Sequence, residues 1–193
     1  MNLIRWAREL AGTHLAVVLP RRWTHVQAVA ARAAEVAPAM GTGDGSVLVA
    51  AAWLHDVGYA PGAVNTGLHA LDGARFLRAQ GAVDERVTAL VAHHSAAMLE
   101  AELRGLADQL AAEFDREVSA VADALWYCDM TTGPDGQRMT VHERFAEIRS
   151  RYGPGHVVTQ FITAEPELTA AVTRTEERIA DGLSDRRRIR RTR

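Results

Sequence analysis

Three stretches of this chain carry side chains that helix packing alone does not call for. The apolar run Val49-Ala-Ala-Ala-Trp-Leu delivers His55 and Asp56 side by side, followed by Val57, Gly58 and Tyr59. An unpaired carboxylate beside a hydrophobic core is strongly unfavourable, so the doublet implies a partner. A divalent metal satisfies an imidazole and a carboxylate together, provided that other segments supply further ligands. Two segments offer them: His25 in Arg-Trp-Thr-His-Val, and Asp129 in Tyr-Cys-Asp-Met. Taken alone, His25 reads as a hydrogen-bonded core or boundary histidine.

Helices must position these groups. Apolar residues make up 48% of the chain and aromatics 6%, with much alanine, which favours helix over sheet. The 3.6-residue period predicts helices over 3–19 and 21–37, with Pro20 between them. Ser46 is expected to cap a third helix that runs through Trp53 to His55, and Gly58 to mark its end. The segment from Tyr59 to Gly67 reads as a loop walling a site. A fourth helix, capped by Asn65 or Thr66, carries His69 and Asp72 and stops at Gly81. Asp84 caps a fifth over 85–98. Two more fit 100–113 and 116–130. Thr140-Val-His-Glu143 is a capping box that opens a helix to about Tyr152, broken by Gly153-Pro-Gly, and a last helix over 165–183 is entered at Pro166. No alternating strand pattern or internal repeat occurs. The expected class is all-α.

Composition narrows the chemistry further. All 22 basic residues are arginine. Without lysine there is no Schiff base and no P-loop lysine, so phosphate or carboxylate recognition falls to Arg, backbone N–H groups, neutral donors or a metal. The single cysteine, Cys128, excludes an internal disulfide, fits a reducing compartment and reads as core packing. No apolar stretch approaches the ~20 residues of a membrane span, and the N-terminus lacks a signal peptide's hydrophobic block. The expectation is a cytoplasmic protein with no membrane partner. Six arginines and no acid lie in 186–193, leaving 16 Arg against 24 Asp plus Glu in 1–185, a formal −8. An acidic body argues against a nucleic-acid partner for the domain. The arginine run could touch nucleic acid, an anionic surface or an acidic protein, but terminal charge runs ordinarily fray, and 186–193 reads as a disordered tail.

The ordered pattern of His25, His55-Asp56 and Asp129 in helical settings resembles the HD-domain superfamily of metal-dependent phosphohydrolases. The resemblance covers residues 21–152 of a single domain spanning 1–185. Asp123 in Val-Ala-Asp-Ala-Leu competes for the late aspartate; Asp129 is preferred because it sits where helix gives way to a Gly-Pro loop, leaving Asp123 to solvent or an Arg. In the dinuclear members, a His from the helix after the doublet and another from the next helix complete a second site. His69 and the pair His93-His94 occupy those places. The resemblance therefore implies His25, His55 and Asp129 on one metal, His69 and His93 on the other, and Asp56 bridging, with His94 able to replace His93 or support it. Such a donor set implies Fe, Mn, Co or Zn rather than Mg. Arg22, three residues before His25, resembles a phosphate-contacting arginine of HD nucleotidases; Arg138, across the loop from Asp129, is a second candidate or a surface residue. Asp72 could orient His69. Arg144, Arg149 and Arg151 read as a solvated helix face, with a phosphate role as the alternative, and His142 and His156 as surface or helix-end residues. The implied activity is hydrolysis of a small phosphorylated substrate, a nucleotide or another phosphate ester or anhydride. The alternatives are a di-iron oxygenase on the same scaffold and a non-catalytic regulatory domain stabilised by metal.

Overall fold

A computed structural model of the chain describes residues 2–81, 84–153 and 161–191. Its organising element is α3 (Asp44–Leu54), in which Val47 to Ala52 and Leu54 are all buried. A helix apolar on every side must be wrapped by others. It is packed by α1 (Leu3–Leu15), α2 (Pro20–Val36), α5 (Glu85–Ala92) and α8 (Ala120–Met130). Around these lie α4 (His69–Ala79), α6 (Ala97–Leu103), α7 (Ala107–Glu113), α9 (Val141–Tyr152) and α10 (Glu165–Arg191), the last running along α8. Among the described residues no strand forms beyond one antiparallel bridge, Thr132 to Arg138. The fold is all-α, and no described helix is long and apolar enough to cross a membrane.

Several helix ends differ from the sequence expectation for identifiable reasons. α1 stops at Leu15 rather than at 19, because Val17 and Val18 are 89% and 55% exposed and contribute no packing, and Leu19 precedes a proline. α3 begins at Asp44 with Gly43 as its N-cap (φ 88°), and the Ser46 hydroxyl donates to the Gly43 carbonyl instead of capping. α4 has Leu68 at its cap position; the amides of Asn65, Thr66 and Gly67 and the Thr66 hydroxyl instead donate to the buried carboxylate of Asp72. The region expected as one helix over 85–98 breaks after Ala92, where Ser95 (φ 47°) and Ala96 (φ 57°) are left-handed. Gly105 (φ 70°) separates α6 from α7, and α8 starts from Ser119, whose hydroxyl accepts from Val121 and Ala122. The Thr140–Glu143 capping box forms as expected. α10 continues to Arg191, so 186–191 extend a helix rather than fraying, consistent with the helix propensity of Arg and with cations at a helix C-terminus. Pro154, Gly155, His156, Thr192 and Arg193 lie outside the described residues.

Gly58 matters through space rather than helix termination. A Cβ there would lie 1.9 Å from the His69 carbonyl oxygen and 2.6 Å from the Gly73 amide. This backbone contact seats the Val57–Tyr59 turn on α4, bringing the His-Asp doublet against His69.

Candidate metal centre

The chemical groups converge because each lies at or near an end of α3, of α2, α5 or α8 packed on it, or of α4, which packs on α5 and the Val57–Tyr59 turn. α2 carries Arg22 and His25 one turn apart; His55 caps α3 and Asp56 follows it; His69 opens α4; His94 starts the turn after α5; Asp129 lies in the last turn of α8. His25, His55, Asp56, His94 and Asp129 are buried and His69 half-buried.

The ring nitrogens have defined roles. A carbonyl oxygen only accepts, so the Nδ1–H groups of His25, His55 and His94 donate to Gly133 (3.0 Å), Ala52 (2.8 Å) and Val91 (2.6 Å) respectively. With Nδ1 so committed, each ring directs its Nε2 into one shared space, the arrangement that backbone partners impose on metal-ligating histidines. His25 Nε2 lies 3.1 Å from Asp129 Oδ1, and His69 Nε2 lies 3.1 Å from His94 Nε2. The buried Nε2 of His55 has no hydrogen-bond partner. Two carboxylates and several ring nitrogens face one another in one space, a donor set that fits a metal. The donor atoms form two groups, each within 4.8 Å: His25, His55 and Asp129, and Asp56, His69 and His94. Asp56 faces both. Its Oδ2 is 3.4 Å from His55 Nε2 and 3.8 Å from His25 Nε2, while Oδ1 is 3.6 Å from His69 Nε2.

Electrostatics agree with that geometry. Burial opposes ionisation of Asp56, but Arg22 and His55 outweigh it and hold its carboxyl well below the usual range. Asp129 is likewise lowered against burial, by His25 and His55. Burial also disfavours a charged His55, yet Asp56 and Asp129 raise its imidazole to about 9. His69 moves oppositely, pushed down to about 3 by burial and by His94. The carboxylates thus stay ionised and draw positive charge into the cluster.

Of the paired histidines, His94 joins the cluster and His93 does not. His93 Nε2–H donates to the Phe114 carbonyl (2.8 Å), on the far side of the backbone, and its own carbonyl accepts from Trp126 Nε1 (3.0 Å). Arg138 is also elsewhere: it is paired with Glu35 and its side chain is 68% exposed. Asp72 braces the preceding loop rather than orienting His69. Asp123 pairs with Arg174 on the surface, and Cys128 is buried, its thiol pushed up by burial. Arg22 donates NH1 to Asp56 Oδ2 (2.7 Å) and stacks over Tyr59 at 4.1 Å; Tyr59 in turn stacks on His69 at 4.3 Å.

The cluster opens into a cavity of about 80 Å³ whose walls include Arg22, Tyr59, Glu100, Arg144, Arg151 and Tyr152. Arg144 and Arg151 correct the expectation of a solvated face. Arg144 is buried, donating NH1 to Glu147 (2.5 Å), and Arg151 pairs with the same carboxylate (3.2 Å). Their spacing across Ile148, at i, i+4 and i+7, is a one-face signal readable in the sequence. Ser95, which donates to Asp129 Oδ2 (2.5 Å), left no such signal because a left-handed serine is not encoded by its neighbours. Arg149 pairs with Glu165, and His142 is exposed.

A family model described as the HD domain matches residues 22–125. The chain belongs to the HD-domain family. That family consists mostly of metal-dependent hydrolases, and the buried His/Asp groups of this HD domain are consistent with metal binding. Asp129 lies just past the matched stretch and reaches the cluster through α8. No curated protein and no solved structure matches the chain.

Proposed function

We propose that this HD domain is a phosphohydrolase that cleaves a phosphate ester or phosphoanhydride of a small molecule at a two-metal centre. The observation that carries this reading is the adjacency of the two His/Asp groups, shared through Asp56, beneath a cavity walled by three arginines. Divalent ions held by His25, His55 and Asp129 and by Asp56, His69 and His94 would supply an activated water and polarise a phosphoryl oxygen. The donor set favours Fe, Mn, Co or Zn over Mg.

The remaining work falls to the chain's own groups. Arg22 spends one N–H on Asp56, which fixes that carboxylate between the two groups, and presents its remaining N–H groups to the cavity. Tyr59 holds the Arg22 guanidinium flat and His69 in register. Glu147 fixes Arg144 and Arg151 at the opposite wall. A planar guanidinium recognises phosphoryl oxygens in pairs, so these arginines orient a phosphoryl group and offset its charge. Ser95 holds Asp129. The acidic body, formally −8 over 1–185, suits a small substrate better than a long nucleic acid.

The test is metal content on protein purified without added metal, for the wild type and His69→Ala, together with phosphate release from a panel of phosphate esters in air and without oxygen. Two equivalents falling to one, with oxygen-independent phosphate release, is the expected result. One equivalent in both proteins would remove the dinuclear reading. Iron-selective binding with oxygen uptake and no hydrolysis would give the site to an oxygenase.

A further inference from the structure

The metal cavity, about 80 Å³, is the narrower of two spaces that share walls. A second concavity of about 320 Å³ adjoins it, lined by Val18, Leu19, Pro20, Arg21 and Pro134 together with His25, Arg22 and Arg151. Arg22 and Arg151 wall both spaces, and His25 of the first His/Asp group lines the second, so the two adjoin across one pair of guanidinium groups.

The chemistry of the groove is one-sided. Val18, Leu19, Pro20 and Pro134 offer only apolar side chains. Arg21 is neutralised by a two-pronged pair with Asp135, at 2.6 and 2.9 Å. His25 Nδ1 is committed to the Gly133 carbonyl. Apart from Arg22 and Arg151, which face the phosphoryl group, the lining offers a polar substrate little beyond the Asp135-paired Arg21. Val18 lies in the short connection between α1 and α2, 55% exposed, where the helix expected to continue is abandoned.

We infer that the groove of Val18, Leu19, Pro20 and Pro134 holds the organic part of the substrate, and that this HD domain takes phosphate monoesters of uncharged, apolar alcohols, not nucleotides or other polyanions. The reading rests on the phosphohydrolase assignment above. The phosphoryl group lies on the metal side of Arg22 and Arg151, and the alkyl or aryl group extends over Val18.

Two measurements on the metal-loaded full chain separate this inference from that assignment. The first is the affinity of straight-chain alkylphosphonates from methyl to hexyl, which carry no hydrolysable ester, by titration calorimetry. The second is kcat/KM for the corresponding alkyl phosphates, whose leaving groups are closely similar. Affinity and kcat/KM are expected to rise about threefold to fourfold per methylene over the first few carbons, the usual gain for burying CH₂. Val18→Asp should flatten both series, whereas Val118→Asp, an exposed apolar site far along the chain and outside the groove, should leave the slopes unchanged. Hydrolysis without a chain-length slope, or nucleoside monophosphates or ω-carboxyalkylphosphonates outperforming alkyl compounds of equal length, overturns the inference and leaves the assignment standing. Graded phosphonate binding with no hydrolysis of any ester keeps the groove and overturns the assignment. Absence of both binding and hydrolysis overturns both.

Discussion

The same arginine–carboxylate pairing occurs in two parts of this molecule with different consequences. On the surface, Arg138–Glu35, Arg174–Asp123 and Arg21–Asp135 lie in water. In the interior, Arg22–Asp56 sits among buried histidines. Water can replace either partner of a surface pair, so such pairs typically contribute less than about 1 kcal/mol. Inside, the Asp56 carboxylate cannot turn to water, and loss of Arg22 leaves it uncompensated. The interior pair is therefore coupled to everything else that carries charge in the cluster, and would be to a metal held there, while the surface pairs are independent of it.

The largest contrast is expected between adjacent histidines. His94→Ala should remove one metal equivalent and lower hydrolysis by about 10³-fold or more, since a lost ion forfeits several kcal/mol of charge stabilisation. His93→Ala should keep both equivalents and cost about 1–3 kcal/mol of stability, because it leaves the Phe114 carbonyl without its donor. Metal analysis and denaturant unfolding of the two variants check this, and equal metal loss in both would erase the distinction drawn between them.

Arg22→Met tests the interior pair directly. In metal-free protein it should cost about 3–5 kcal/mol by stranding the Asp56 carboxylate. Metal loading should recover much of that loss, which urea titrations with and without Mn²⁺ would register. A penalty identical in both states would mean that Arg22 and the metal do not share Asp56.

Gly58→Ala is next. Its Cβ would meet backbone that cannot swing aside, so about 1–3 kcal/mol of destabilisation is expected, with a displaced α4 and weakened metal binding on the His69 side. Unchanged stoichiometry at reduced stability would separate packing from site geometry.

The smallest effects belong to the surface. Arg138→Ala should change stability by less than about 1 kcal/mol and leave activity intact. The Glu113 and Glu117 carboxyls are held below their ordinary values by hydrogen bonds from Arg75 and Arg86. A lowered folded-state pKa means that their contribution is present above the unfolded value, near 4.3, and is lost as pH falls through the folded value. Arg86→Ala should accordingly narrow the stability difference between pH 6 and pH 3, measured by thermal unfolding. An unchanged difference would show that the Arg86–Glu117 pair contributes nothing.

Much of the site could be read without the fold. His55, Asp56 and Asp129 were identifiable because a charged group interrupting an apolar helix has few explanations, His25 and His69 through their places in the HD-domain pattern, and the capping box at Thr140 because both of its bonds are local. The failures share a cause. Ser46 meets the carbonyl of Gly43 and Asp72 the amides of Asn65, Thr66 and Gly67, so both outcomes turn on loop conformations that residue type alone does not fix. Arg144 and Arg151 looked solvated because nothing local shows that α9 forms a wall of the cavity.

Composition and 3.6-residue periodicity, by themselves, determined an all-helical chain built round an apolar α3 and the residue types of a metal centre, since both follow from short-range sterics and the cost of burying charge. Only the tertiary structure decided that His94 faces the cluster and His93 turns away, that Arg138 stays on the surface, and that Arg144 and Arg151 line the cavity. Those outcomes depend on where a left-handed break at Ser95 and Ala96 redirects the chain and on which helix ends meet around α3, and neither is encoded in any one segment.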